Sequence, residues 1–219
     1  MSRRFKAAAR RSETDGVQRP RILAGFVQGT LAGLPPAIAA RVRARLAPDT
    51  LAALERSSRL SWLPIEVDVE LTHAVYVELG AGPAREAFRR NLSSALDTPI
   101  LRSLAQGALR LLGASPARLF GWAPKVYAHI YRDAGGMRFE SDGAGSARLE
   151  LFELPPVIAE SRDYLDGVAG SIGAGFDLMD LKGEVTVERL DPSGRRARFR
   201  LAWDEEEEPV ESLPAPAGA

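Results

Sequence analysis

The stretch Arg196-Ala-Arg-Phe-Arg-Leu-Ala-Trp203 decides the fold. Ala197, Phe199, Leu201 and Trp203 alternate with Arg196, Arg198 and Arg200, the period of a strand with one apolar and one wet face. Glu184–Leu190 reads as its partner strand. The intervening Asp191-Pro192-Ser193-Gly194 reads as a type I turn closed by a glycine bulge. Such a pair is antiparallel and needs an apolar layer over its inner face.

Working outward, the same period recurs upstream. Met137–Glu140 is a candidate strand and Ser141–Ser146 a turn. In the next strand Ala147, Leu149 and Leu151 alternate with Arg148, Glu150 and Phe152. Pro155 and Pro156 then open a helix with apolar positions Val157, Tyr164, Leu165, Val168, Ile172 and Phe176. The order is ββαββ.

Before Gly136 the period is helical. Phe26, Thr30 and Leu31 share a face of a short helix; Ile38, Val42 and Leu46 follow Pro35–Pro36; Leu51 and Leu54 follow Asp49. Ser61–Gly80 reads as a long helix with Pro64 in its first turn, Asp68 and Glu70 early, and a stripe of Val67, Leu71, Val75 and Leu79. Pro83 opens another, with Ala87, Phe88, Leu92 and Leu96 inward. Thr98–Pro99 starts a further helix closed by Gly113. Ser115–Pro116 begins a run through Leu119, Phe120, Val126, Tyr127, Ile130 and Tyr131, broken or kinked at Pro124. The expected architecture is α+β: an N-terminal helical layer packed on a roughly four-stranded antiparallel sheet of ββαββ order. It forms a single domain over residues 19–203, between a disordered basic tail (1–18) and a disordered acidic tail (204–219).

Composition narrows the chemistry. The 219 residues carry no net charge and are 45% hydrophobic, as in an ordinary globular chain. The neutrality hides a polarity: seven basic residues against two acids lie in Met1–Arg21, and six acids in Asp204–Ala219. With no cysteine, thiolate nucleophiles and cysteine-based metal or iron–sulfur sites are impossible within the chain. With only His73 and His129, so is a three-histidine centre. No apolar run is long enough for a membrane span or follows the basic N-terminus as a signal peptide requires, so cytoplasmic residence is expected.

Three groups stand out as candidate sites. On a continuous helix His129 and Asp133 lie four apart and meet as an oriented imidazole–carboxylate pair, with Tyr127 and Tyr131 on a neighbouring face; these are the weak catalytic candidates. Gly167, Gly170 and Gly173 strip one side of a helix, giving either close backbone packing or a ligand slot. Arg196, Arg198 and Arg200, with Arg189 nearby, could hold a nucleic-acid backbone, but Glu184 and Glu188 are expected across the hairpin, which makes nucleic acid the weaker partner. His73 reads as a surface or boundary residue.

Tyr76-Val-Glu-Leu-Gly80, Thr98-Pro-Ile-Leu-Arg-Ser103, Gly113-Ala-Ser-Pro-Ala-Arg118 with Trp122-Ala-Pro, Gly167-Val-Ala-Gly170-Ser-Ile-Gly173 and Phe199-Arg-Leu-Ala-Trp203 resemble a multi-paralogue myxobacterial family without established activity. At fold level, helices followed by ββαββ are similar to the vinyl-reductase-type ligand-binding domain, the related vesicle-tethering subunit and, more faintly, the haem-based nitric-oxide sensor. The metal-binding cysteines of some ligand-binding relatives are missing. The haem sensor's histidine with its tyrosine–serine–arginine clamp is missing too, since Tyr131-Arg132-Asp133 does not reproduce it. The resulting expectation is a non-enzymatic module binding a protein partner or small apolar ligand in signalling, with no cofactor, metal or membrane. An enzyme using His129, Asp133, Tyr127 and Tyr131 is the alternative, and weak nucleic-acid binding a third reading.

Overall fold

A computed structural model of the chain describes residues 19–96 and 115–204. The helix expected between Thr98 and Gly113 lies outside them. Four antiparallel strands, β4 (Gly136–Ser141), β5 (Ser146–Phe152), β6 (Gly183–Asp191) and β7 (Arg196–Trp203), form a sheet in the order β4-β5-β7-β6. Leu149 pairs with Phe199, which pairs with Val187 on its other side. Ala147, Leu149, Leu151, Ala197, Phe199 and Leu201 are all at most 1% exposed, so the alternation read from β7 defines the core face. Trp203 is half-buried and packs its ring on Phe120 and Phe176.

The covering helices are α7 (Ala123–Ile130), against β4, and α9 (Arg162–Leu178), between β6 and α5 (Ala81–Leu96). The remaining helices are α1 (Ala24–Ala32), α2 (Pro36–Arg45), α3 (Pro48–Arg56), α4 (Ile65–Leu79), α6 (Pro116–Phe120) and α8 (Pro156–Ala159). Four begin on proline, at Pro36, Pro48, Pro116 and Pro156. There the missing N–H costs nothing and the ring holds the preceding residue extended. Between α2–α3 and α4, the Glu70 carboxylate accepts from Ala47 N and Thr50 Oγ1 at the start of α3, which fixes how α3 meets α4.

Two boundaries differ from the sequence reading for one reason. A second, three-stranded sheet runs β2-β1-β3, with β1 (Arg21–Leu23) in the middle, β2 (Trp62–Pro64) and β3 (Tyr131–Arg132). Ile22 pairs with Leu63 on one side and Tyr131 on the other. The expected helix Ser61–Gly80 therefore starts only at Ile65, whose N–H donates to Pro20 O at 3.0 Å. The run through Tyr131 is likewise split: α6 and α7 are separate, and Tyr131 leaves α7 in extended geometry (φ −117°, ψ 146°). Local proline and periodicity signals cannot register a strand partner more than forty residues away.

The β6–β7 turn is shifted by one residue. Asp191 Oδ1 accepts Gly194 N–H and Ser193 Oγ–H, both at 2.8 Å, but the positive φ (53°) falls on Arg195. At Gly194 a Cβ would lie 2.3 Å from Asp191 Oδ2, so a larger residue there would displace the Asp191 carboxylate from the turn. The Arg195 guanidinium donates to the carbonyls of Leu154 and Glu153, while Leu154 N–H donates to Arg195 O at 3.1 Å.

Truncating the paired core residues tests this arrangement. Phe199→Ala is expected to cost about 3–5 kcal/mol and Leu149→Ala about 2–5 kcal/mol in urea unfolding. A loss below about 1 kcal/mol from either would mean that its side chain is not in the core.

Candidate functional site

A polar cluster is enclosed where α4, α9 and β3 meet. Asp68, on α4, is 3% exposed although it sits between Val67 and Val69 in an otherwise apolar helix. Ser161 caps α9, accepting from Tyr164 N–H at 3.3 Å, which sets Tyr164 in the first turn facing α4. The Tyr164 hydroxyl lies 2.8 Å from Asp68 Oδ2 and 3.1 Å from the Tyr131 hydroxyl. One hydroxyl hydrogen cannot serve both, so Tyr164 donates to Asp68 and accepts from Tyr131. Tyr131 stacks on Tyr127 with ring centroids 4.4 Å apart, and Tyr127 donates to Ala134 O at 2.8 Å.

The electrostatics follow from burial. Asp68 Oδ1 has no hydrogen-bond partner, and none of the ion pairs among the described residues involves Asp68. Loss of water pushes its pKa up to about 7, a rise that the hydrogen bond from Tyr164 only partly offsets. The Tyr131 and Tyr164 hydroxyls are pushed well above the usual phenol range, first by burial and then by the Asp68 charge. The cluster can therefore hold or release one proton near neutrality inside the protein. Sequence reading passed over Asp68 as a first-turn acid and Tyr164 as a core aromatic. They stand 96 positions apart, and no local pattern links them.

The residues singled out in the sequence are placed as follows. His129 is exposed at the end of α7. Asp133 lies beyond β3 with φ 55° and accepts from Arg21 at 3.4 Å. The helical four-apart pairing of His129 and Asp133 does not form, because β1 draws Tyr131 into a strand before a further helical turn can be made. Tyr127 and Tyr131 do meet, as the stacked pair above. His73 is exposed and bonds Asp163 at 2.9 Å. Asp166 accepts from the Tyr76 hydroxyl at 2.7 Å and from Arg85 at 3.2 Å. No group of three His, Cys, Asp or Glu suited to a metal ion occurs among the described residues.

The α9 glycines face α5. A Cβ at Gly167 would lie 3.2 Å from the Phe88 ring, at Gly170 2.4 Å from the Arg85 carbonyl oxygen, and at Gly173 3.7 Å from Arg89. An open cleft of about 270 Å³ runs beside Gly170 and Gly173, walled by Arg85 and Arg89 of α5 and by Gly183–Val185. Both arginines are already engaged, Arg85 by Asp166 and Arg89 by Asp177 at 2.9 Å through Nε.

No family profile matches the chain, and neither does any curated protein. Solved structures do. The Fe(II) unliganded H-NOX protein from K. algicida aligns over 85% of this chain and 98% of its own, with a TM-score of 0.59 at 10% identity. The fold is H-NOX-like. The I5F mutant of T. tengcongensis H-NOX (TM-score 0.52, 12% identity, 84% of this chain and 98% of that one) is similar too. So is an oxygen-binding H-NOX domain related to soluble guanylate cyclases (0.51, 13%, 83% and 93%). These likenesses support the haem-sensor comparison at the level of fold. They lend nothing to the vinyl-reductase-type one.

Two measurements probe this region. Asp68 binds a proton in the native state that the unfolded chain releases near pH 4, so its contribution to stability is fully present below that pH and is lost as pH rises past about 7. The loss is on the order of 4 kcal/mol. Asp68→Asn should flatten that slope and raise resistance to urea at pH 8.5. Parallel pH profiles for the two proteins would remove Asp68 as the titrating group. Gly170→Ala should destabilise by about 1–3 kcal/mol through overpacking. Gly173→Ala, with ordinary contact distances, should be neutral or stabilising by up to about 1 kcal/mol. Equal effects would refute the close approach at Gly170.

Proposed function

We propose that this chain is a non-enzymatic, haem-free ligand-binding module of H-NOX-like fold, acting in signalling. The neighbours are haem proteins by description. The residues present in this chain do not fit haem. Haem iron is held by an imidazole, thiolate, thioether or phenolate from the protein. Both histidines sit on exposed positions, His73 tied to Asp163, and the chain has no cysteine; Met137 and Met179 pack against the core, and the Tyr76 and Tyr127 hydroxyls donate to Asp166 and to Ala134 O. Residues 97–114 contain no His, Cys, Met or Tyr. The buried phenols of Tyr131 and Tyr164 are held protonated by burial and by the neighbouring carboxyl.

The observation that carries this reading is the Asp68–Tyr164–Tyr131 chain: its two phenols are engaged with each other and with the carboxyl, and offer no ligand to iron. The separation of His129 from Asp133 leaves the acid–base alternative without its pair. On this reading the open cleft beside Gly170, between two helices and a strand, is the place for a small molecule.

Haemin titration of the purified chain tests the first half. The expected spectrum is that of free haemin, with no sharpened, stoichiometric Soret band; a one-to-one complex with a shifted band overturns the haem-free reading. Native mass spectrometry of protein isolated from its own host tests the second. A retained small molecule is expected, displaced by Gly173→Trp, and a consistently bare chain counts against a ligand.

A further inference from the structure

The outward face of the four-stranded sheet gathers arginines where sheet energetics would place opposite charges. Across one row the residues are Arg138, Glu150, Arg198 and Arg189, in strand order. Arg198 and Arg189 are direct cross-strand partners, and like charges in that position disfavour the sheet. The register shift between Val187 and Arg189 produces this pairing: it turns Leu190 toward the core opposite Ala197 and swings Arg189 outward. Arg196, opposite Asp191, completes the group.

Glu150 forms the floor. Its carboxylate lies 3.9 Å from Arg138, 3.8 Å from Arg196 and 3.7 Å from Arg198, while its own side chain is 14% exposed. All three distances exceed a hydrogen bond, so Glu150 holds the guanidinium groups together without consuming their N–H donors. Asp191 commits Oδ1 to Ser193 and Gly194. Three guanidinium groups, those of Arg189, Arg196 and Arg198, thus face two carboxylates around a cleft of about 140 Å³ lined by Glu150, Arg189, Asp191, Arg196 and Arg198. That space suits a single compact group; a drug-sized ligand needs several hundred Å³. Guanidinium forks match the oxygens of phosphate, and the lining carries a surplus of one positive charge.

We propose that this face of the sheet is a binding site for a phosphate group carried by a small ligand, held by Arg189, Arg196 and Arg198. The site lies apart from the Asp68 cluster and from the Gly170 cleft, so it does not depend on the haem-free reading.

The test is a titration of the full chain with inorganic phosphate, ionic strength held constant with sodium chloride, followed by the arginine Nε–H and β6–β7 amide resonances. Saturable shifts centred on Arg189, Arg196 and Arg198 are expected. The double variant R189Q/R196Q, altered at two exposed positions, should weaken binding by about tenfold or more while its thermal unfolding matches or exceeds the parent's. Shifts that never saturate, that chloride alone reproduces, or that survive in the variant overturn the site. Binding of a 20-base-pair duplex that R189Q/R196Q abolishes, without any response to inorganic phosphate, assigns the arginines to nucleic acid and also overturns it.

Discussion

The interior hangs on the three-residue strand β1. Strand β1 is paired on both sides, with the fully buried Ile22 opposite Leu63 of the strand leading into α4 and opposite Tyr131 of the strand leading out of α7. That double pairing decides where α4 starts, and so which way Asp68 points. It also decides where α7 stops, and so where Tyr131 stands. With α9 capped by Ser161 on the opposite side, three remote segments deliver a carboxyl and two phenols to one point. Backbone hydrogen bonds are obligatory in a buried setting, which is why so short an element has such reach.

The parts of the fold legible in the sequence are those governed by local rules. Alternation in β5 and β7 needs only neighbours two apart, and the proline starts of α2, α3, α6 and α8 need only one residue's φ. Of the apolar positions named for the last helix, Tyr164, Leu165, Ile172 and Phe176 are buried and Val157 and Val168 half-buried, although the single helix expected from Pro155–Pro156 is split into α8 and α9. What escaped was non-local. The β1–β2 and β1–β3 pairings override helix signals that are sound in isolation, and the ion pairs of β7 form with Glu150 of β5 rather than with Glu184 or Glu188 across the hairpin. At the site, the tyrosines 127 and 131 were noticed for the wrong companions. Asp68 was invisible because a carboxyl in a first helical turn normally answers the helix dipole in water.

A scaffold shared with haem proteins yet furnished with a protonatable carboxyl separates fold from chemistry. The core of this H-NOX-like arrangement of helices on a sheet is a continuous set of aliphatic and aromatic side chains running from Ile22 to Leu201. On the proposed reading, any signal the module carries begins with a molecule meeting protein groups directly. The protein's own hydrogen-bond and charge patterns then set selectivity, and no metal-centred bond contributes.

The crossing of Arg195 over the chain entering α8 has a mechanical consequence. Its left-handed backbone and its fork to Glu153 and Leu154 lock the tip of one hairpin to the joint from which α8 and then α9 depart. Opening the hairpin tip therefore means breaking the bonds of Arg195 to Glu153 and Leu154 at the root of α8. The outer rim of the sheet is thus tied to the chain that leads, through α8, to Tyr164 and the sealed carboxyl.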